Sequence, residues 1–260
     1  MFERAIDLKK AHILLTNDDG VEAPGLKVLE KVARGLCKDV WVVAPELEQS
    51  GAGHSLTLHR PLRVRKLAPK RFAIDGTPTD CVLLAINKVM ADKRPTLVLS
   101  GINGGANLGE DVTYSGTVAA AMEATLLDVP AIALSLQILE RGKPRWDTAA
   151  KHAGEVIKRL VAQPWPKHTL INVNFPDVAP NRVSGIKVAR QGRHKIGDQL
   201  MERTDPRGRP YFWIGPTRAE DVGRAGTDLA AVTEGKISLT PILLDLTNKD
   251  ALAPLRKVFS

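Results

Sequence analysis

The chain has 260 residues, of which 43% are hydrophobic and 25% are charged. This composition is typical of a folded globular protein, and it excludes a disordered chain and a collagen-like fibre. No apolar run approaches the roughly 18 to 20 residues that a membrane-spanning helix needs. The first ten residues mix charged and apolar side chains and lack the apolar segment of a signal peptide. We therefore expect a cytoplasmic protein without a membrane partner.

The 37 Lys and Arg residues outnumber the 29 Asp and Glu residues, which gives a net charge of +8. Such an excess occurs in proteins that bind nucleic acid, in proteins with anionic small substrates and on ordinary soluble surfaces. The basic residues are spread along the chain, and the aromatic residues on which bases would stack make up only 4% of it. We therefore expect no stable complex with nucleic acid. The two cysteines are too few for a disulfide framework or a zinc cluster.

Apolar runs and amphipathic segments alternate through the first part of the chain. The apolar runs predict buried strands at residues 12–16, 40–44, 96–100, 131–135 and 169–173. Helical periodicity predicts helices at residues 25–36, 79–90, 116–127 and 148–162. Apolar strands that are separated by helices are typical of a parallel sheet covered on both faces. Residues 1–183 are therefore predicted to form a doubly wound, mainly parallel α/β core.

The pattern changes after about Ser184. Short candidate strands at residues 185–190, 209–214 and 236–241 lie among Gly and Pro residues, and a short apolar stretch at residues 251–259 ends the chain. No repeat or low-complexity linker separates the two parts. We interpret residues 184–260 as a β-rich extension that shares the core of the first part, and we predict that it mediates self-association.

Four polar loops deserve priority, because ligands of open α/β sheets bind beyond the carboxyl ends of the strands. The first loop carries Asn17, Asp18 and Asp19 directly after the first predicted strand. Two adjacent carboxylates repel each other, and a bound cation would remove that cost. A plain Asx turn that caps the next helix would need only one of them. The motif alone leaves both interpretations open.

The second and third loops add neutral oxygen atoms. Residues 46–55 contain Ser50 beside glycines, and residues 100–109 form a Gly-rich turn with Asn103 and Asn107. The third loop matches neither the dinucleotide fingerprint nor a P-loop. Each of the two loops is either a ligand cradle or a plain surface loop, since glycine allows the backbone to approach a ligand and also occurs in ordinary turns.

The fourth loop places Ser115, Gly116 and Thr117 at the start of an alanine-rich helix. The free N–H groups of a helix N-terminus attract anions, and a plain N-cap role for a hydroxyl is compatible with that. The first three loops supply only oxygen donors, a set that suits Mg²⁺, Mn²⁺ or Ca²⁺ rather than zinc. A cation beside a helix N-terminus would make a phosphate site.

Several blocks of the sequence, in this order, carry a resemblance to a known family: ILLTNDDGV at residues 13–21 with APG at 23–25, VAP at 43–45 with SG at 50–51, GTPTDC at 76–81, SGIN at 100–103 with Gly105 and NLG at 107–109, and YSGTV at 114–118. With these blocks the chain resembles the SurE family, survival protein E, whose members are metal-dependent 5′/3′-nucleotidases. The resemblance implies a Rossmann-like core and dimers or tetramers built through the C-terminal extension. It also implies hydrolysis of nucleoside 5′- and 3′-monophosphates to nucleoside and phosphate, with some activity on short polyphosphate.

The resemblance further implies one divalent cation per subunit, Mg²⁺ or Mn²⁺. Its ligands would be the residues that match the metal ligands of the family, namely Asp18, Asp19, Ser50 and Asn103. We assign Asp18 and Asp19 as catalytic, one of them also orienting or deprotonating the attacking water. The substrate would be held by Asn17, Asn107, Ser115, Gly116 and Thr117.

Two alternatives come from other classes of protein. An aspartyl-phosphate phosphatase of the haloacid-dehalogenase type would use one carboxylate as the nucleophile, but such enzymes usually carry Asp-x-Asp at the first strand, whereas Asp18 and Asp19 are adjacent. A non-catalytic nucleotide-binding or RNA-binding module is motivated by the net charge of +8. It predicts binding that weakens steeply with salt, and no turnover.

Overall fold

The structure is a computed structural model, and it describes residues 5–140, 143–164, 166–195, 200–214, 218–219 and 224–259. The expected cytoplasmic location rests in part on residues 1–4, which lie outside the described residues. None of the helices in the described ranges is long and apolar enough to cross a membrane.

The elements follow the predicted alternation. The strands are β1 (His12–Thr16), β2 (Asp39–Pro45), β3 (Val64–Ala68), β4 (Arg71–Ile74), β5 (Leu97–Gly104), β6 (Ala131–Leu136), β7 (Thr169–Phe175), β8 (Ile186–Val188), β9 (His194–Lys195), β10 (Leu200–Thr204), β11 (Pro210–Ile214), β12 (Arg218–Ala219) and β13 (Ile237–Leu243). The α-helices are α1 (Pro24–Leu36), α2 (Pro78–Leu84), α3 (Gly116–Leu126), α4 (Trp146–Val161), α5 (Asp228–Thr233) and α6 (Lys249–Phe259).

Nine of the described strands form one sheet in the order β3-β4-β2-β1-β5-β6-β7-β13-β8. The strands from β4 to β7 in that order are all parallel, whereas β3 is antiparallel to β4 and β13 is antiparallel to β7. The chain order reverses at β1, which lies between β2 and β5. A crevice opens beyond the carboxyl ends of the strands at such a switch point, and ligands of open α/β sheets bind there.

Helices cover both faces of the sheet. Along β1 the side chains of Ile13 and Leu15 join the apolar cluster that includes α1 and α4, and Leu14 joins the cluster that includes α2 and α3. Successive side chains of a strand point to opposite faces, so a strand that is covered on both sides must be apolar at every position. The prediction of a doubly wound, mainly parallel α/β sheet is therefore confirmed.

Two predicted elements differ in detail from the structure. The helix predicted at residues 79–90 ends as an α-helix at Leu84 and continues as one turn of π-helix, Ala85–Val89. The wider turn is closed by a hydrogen bond from the Met90 N–H to the Ala85 carbonyl (2.8 Å). The Gly-rich segment predicted as a loop begins as strand, because β5 extends to Gly104 through a register shift between Ser100 and Asn103. Gly101 has a φ of +133° there, a conformation that favours glycine.

The C-terminal part of the chain divides into two kinds of structure. Strands β8 and β13 extend the central sheet, and α5 packs against β13 and β7. The β10–β11 hairpin and α6 instead expose most of their apolar side chains, including Trp213, Ile214 and Phe259. The predicted β-rich character of this region is confirmed, and the three candidate strands correspond to β8, β11 and β13. The division of the chain into units at residues 183 and 184 stays a prediction.

Candidate active site

The carboxyl ends of β1 and β5 and the N-terminus of α3 surround one cavity of about 590 Å³. This is the edge of the sheet at which β1 separates β2 from β5. The predicted site residues that line the cavity are Asp18, Asp19, Ser50, Asn103, Asn107 and Ser115. Tertiary structure thus brings together residues from all four polar loops.

Asp18 is almost fully buried at the end of β1. Its Oδ1 accepts a hydrogen bond from the Thr117 hydroxyl in the first turn of α3. Burial raises the pKa of Asp18 above its usual value, and the hydrogen bond from Thr117 opposes that effect only in part. Asp18 faces the cavity, and a positive charge placed there would stabilise its charged form.

Asp19 is less buried than its neighbour. Burial and the nearby charge of Asp18 raise the pKa of Asp19 to about 6, and the hydrogen bond from the Gly104 N–H (3.2 Å to Oδ2) acts in the opposite direction. The charge of Asp18 therefore disfavours the charged form of Asp19, as the repulsion argument from the sequence predicted.

Gly116 allows α3 to approach the carboxylates closely. A Cβ atom built on Gly116 would lie 2.7 Å from the Cβ of Asp18 and 3.0 Å from its Oδ2. The preceding residue, Ser115, is the N-cap of α3, and its hydroxyl accepts a hydrogen bond from the Val118 N–H (3.1 Å). Of the two hydroxyls near the start of α3, that of Ser115 is therefore the N-cap, and its side chain lines the cavity as well.

Ser50 and Asn103 provide neutral oxygen atoms in the same cavity as the carboxylates. Ser50 is exposed, and its hydroxyl donates to Oε1 of Glu48 (2.8 Å). Asn103 lies in the last residues of β5 and donates from Nδ2 to the Gly105 carbonyl (2.8 Å). This bond turns the amide group so that Oδ1 is the atom left for a ligand.

The donor set fits a hard divalent cation. Two carboxylates, an amide oxygen and a hydroxyl line one cavity, and such oxygen ligands suit Mg²⁺ or Mn²⁺. The described residues contain no group of three or more His, Cys, Asp or Glu side chains placed to hold a metal. Neutral oxygens such as those of Ser50 and Asn103 would therefore have to complete a set that begins with Asp18 and Asp19.

Asn17 and Thr117 are not among the residues that line the cavity. Asn17 is fully buried and donates from Nδ2 to the Gly20 carbonyl (2.8 Å), which supports the turn that holds the two carboxylates. Thr117 is also fully buried, and its hydroxyl is engaged by Asp18. Their observed contacts are thus to the protein, and direct contact of either residue with a substrate stays a prediction.

Several residues that the sequence analysis did not single out also line or support the cavity. Glu48 lines it from the same loop as Ser50, and a search for acidic residues close to Ser50 would have found it. Leu200 and Ile214 reach its rim from the β10–β11 hairpin. No local pattern in the sequence connects that hairpin with the loops of the core, because the contact exists only in the folded chain.

The comparison with protein families identifies a match over most of the chain. The model of the family described as survival protein SurE matches residues 13–198. A protein from Paramagnetospirillum magneticum named 5′-nucleotidase SurE is 60% identical over 259 residues, which are 99% of this chain and 99% of that protein. A protein of the same name from Rhodospirillum rubrum is 56% identical over 263 residues, with 100% of both chains covered.

Comparison with solved structures leads to the same family. The crystal structure of the SurE protein from Aquifex aeolicus superposes with a TM-score of 0.83 and 40% sequence identity, covering 96% of this chain and all of that chain. The family model and the full-length relatives thus confirm the resemblance that was inferred from the sequence blocks around Asp18, Asn103 and Ser115. The chain belongs to the survival protein SurE family.

Proposed function

We propose that the protein is a divalent-metal-dependent phosphatase that hydrolyses nucleoside 5′- and 3′-monophosphates to nucleoside and phosphate, with some activity on short polyphosphate. The observation that carries this proposal is the cavity in which two adjacent carboxylates, neutral oxygen ligands and the N-terminus of α3 meet. The name 5′-nucleotidase SurE, which the full-length relatives bear, supports the choice of a nucleotide substrate.

One Mg²⁺ or Mn²⁺ per subunit would be held by Asp18, Asp19, Ser50 and Asn103. A divalent cation in this position supplies charge neutralisation for the phosphoryl group and makes a nearby water more acidic. Phosphate monoesters hydrolyse extremely slowly without help, and charge neutralisation around the transferring group is the largest contribution that an enzyme can make.

The remaining residues of the cavity bind and orient the substrate. The N–H groups in the first turn of α3, beginning at Gly116, and the hydroxyl of Ser115 would meet the phosphate oxygens together with Asn107. Thr117 would act by holding Asp18, and Asn17 by holding the turn. Asp18 and Asp19 each keep one oxygen that accepts no hydrogen bond from Thr117 or Gly104, and one of the two would also orient or deprotonate the attacking water.

The test is phosphate release from a panel of nucleoside 5′- and 3′-monophosphates after treatment with a chelator, with and without added Mg²⁺ or Mn²⁺. We expect release that depends on the added metal. Metal-independent release would contradict the proposed metal dependence. An acid-stable phosphoenzyme on Asp18 or Asp19 in a rapid-quench experiment would favour the aspartyl-phosphate mechanism. Steeply salt-dependent RNA binding without phosphate release would favour the binding module.

Self-association is proposed for the hairpin and the terminal helix. The exposed apolar side chains of β10, β11 and α6 exceed the isolated examples that are normal on a monomer surface, and they favour burial in a homodimer or homotetramer. A chain truncated before α6 should then have a lower oligomer mass by light scattering. A full-length protein that is monomeric at micromolar concentration would contradict this.

A cytoplasmic location stays a prediction.

A further inference from the structure

The backbone of Asn107 is held from both sides by one buried side chain. The Asn107 N–H donates to Oδ1 of Asn174 (2.8 Å), and the Asn107 carbonyl accepts from Nδ2 of Asn174 (3.0 Å). The same carbonyl also accepts from Nδ2 of Asn172 (2.8 Å). Asn172 and Asn174 lie on β7 and are fully buried. The side chain of Asn174 thus both accepts a hydrogen bond from the backbone of Asn107 and donates one to it, as the backbone of a neighbouring strand would.

The side chain of Asn107 belongs to the same network. Its Nδ2 donates to the Ser135 hydroxyl on β6 (2.8 Å), so the orientation of the amide group is set as well as that of the backbone. Asn107 lines the cavity but lies in a segment without regular secondary structure, between the end of β5 and the short helix Gly109–Thr113. The hydrogen bonds from β6 and β7 are therefore what gives this residue a defined position.

A second buried side chain holds the end of the same loop. Oδ2 of Asp228 accepts from the Gly109 N–H (2.9 Å), and Oδ1 accepts from the Gly192 N–H (2.8 Å). Asp228 is fully buried at the start of α5. The loop between Gly104 and Gly109 is consequently fixed at Asn107 by β7 and at Gly109 by a residue from the C-terminal part of the chain.

We propose that Asn174 and Asp228 are positioning residues that hold residues 107–109 so that Asn107 meets the substrate phosphate. This inference rests on the proposed function, in which Asn107 contacts that phosphate. The side chain of Asn174 forms its hydrogen bonds with Asn107, so it would affect the substrate through Asn107. None of the four assigned metal ligands is among its hydrogen-bond partners. Loss of Asn174 should therefore weaken phosphate binding and leave metal binding intact. A purely structural role would not separate these two quantities.

The experiment compares Asn174→Ala with Ser238→Ala. Ser238 faces Asn174 in the register of β13 with β7, is equally buried, and has a hydroxyl without a hydrogen-bond partner, so its loss does not touch Asn107. For Asn174→Ala we expect the KM for a nucleoside monophosphate and the Kd for inorganic phosphate in the presence of Mn²⁺ to rise about tenfold or more. The Kd for Mn²⁺ alone, measured by calorimetry, should stay unchanged. Ser238→Ala should match the wild type in all three.

The outcomes separate the inference from the proposed function. A folded Asn174→Ala protein that binds phosphate like Ser238→Ala overturns the positioning role, and so does a parallel loss of Mn²⁺ affinity, which would indicate general disruption of the site. A wild-type protein that neither hydrolyses monophosphates nor binds phosphate overturns the proposed function together with this inference. If Asn174→Ala does not fold, Asn174→Ser and Asp228→Asn take its place, with the same expected separation of phosphate and metal affinity.

Discussion

Two groups of residues that line the cavity differ in how their polar atoms are satisfied. On one wall, the carboxylate wall, burial raises the pKa of both Asp18 and Asp19, and the charge of Asp18 raises that of Asp19 further. On the other wall the backbone N–H and carbonyl of Asn107 are paired with buried amides, and its side chain is bonded to Ser135. The two carboxylates would be stabilised by an added positive charge. The backbone of Asn107 and the side chains that hold it, which we call the amide wall, already find hydrogen-bond partners within the protein. Substitutions on the two walls should therefore separate activity from stability.

The largest effect is expected for Asp18→Asn or Asp19→Asn. Either change removes a charged ligand, and metal-dependent phosphate release should fall by about 10³-fold or more at matched metal concentration. The free energy of unfolding of the metal-free protein should be unchanged or higher, because a repelling buried charge is removed. Kinetics with Mn²⁺ and thermal melting in a chelator measure the two effects. Full turnover in either variant would contradict the site assignment.

Gly116→Val tests how closely α3 must approach the carboxylate wall. The added Cβ would lie 2.7 Å from the Cβ of Asp18, so the helix or the carboxylate must move. Misplacement by about 1 Å can cost about 10²-fold in rate, and we expect a loss of kcat of that order. Gly35→Val is the matched control, since a Cβ at Gly35 in α1 meets nothing within 4 Å. Equal kcat values for the two variants would remove α3 from the active site.

Added Mn²⁺ should stabilise the wild-type protein. A ligand that binds only the folded state at about 100 times its Kd contributes about 2.7 kcal/mol, which is visible as a rise in Tm. The rise should disappear in Asp19→Asn, which belongs to the carboxylate wall, and persist in Asn174→Ala, which belongs to the amide wall. Persistence of the full rise in Asp19→Asn would show that the cation binds elsewhere.

The smallest effect is expected for Ser115→Ala. The hydroxyl of Ser115 caps α3 by accepting from the Val118 N–H, and it keeps a proton with which it can donate to a phosphate oxygen. Loss of the cap should cost about 0.5 to 2 kcal/mol of stability. Loss of the phosphate contact should lower kcat/KM by about tenfold. A lower Tm with unchanged kcat/KM would leave Ser115 only its cap role.

Three of the assigned metal ligands could be predicted from the sequence, because they occur in short motifs at the ends of apolar strands. Asp18 and Asp19 follow β1, and Asn103 lies in the last residues of β5. The supports of the amide wall could not be predicted in this way. Asn174 is 67 residues from Asn107 along the chain, and Asp228 is 119 residues from Gly109. An asparagine in an apolar strand gives no local sign of its hydrogen-bond partner.

The sequence by itself determined the layered sheet and the chemistry of the polar loops. Buried strands need apolar side chains at successive positions, and helices need them every three to four residues, so both elements are encoded locally. Tertiary structure alone decided that β13 and α5, which follow the exposed hairpin, return to the central sheet and bring Asp228 against the loop of Asn107. Strand pairing and buried hydrogen bonds join residues that are distant along the chain, and a single sequence records the two partners without recording that they meet.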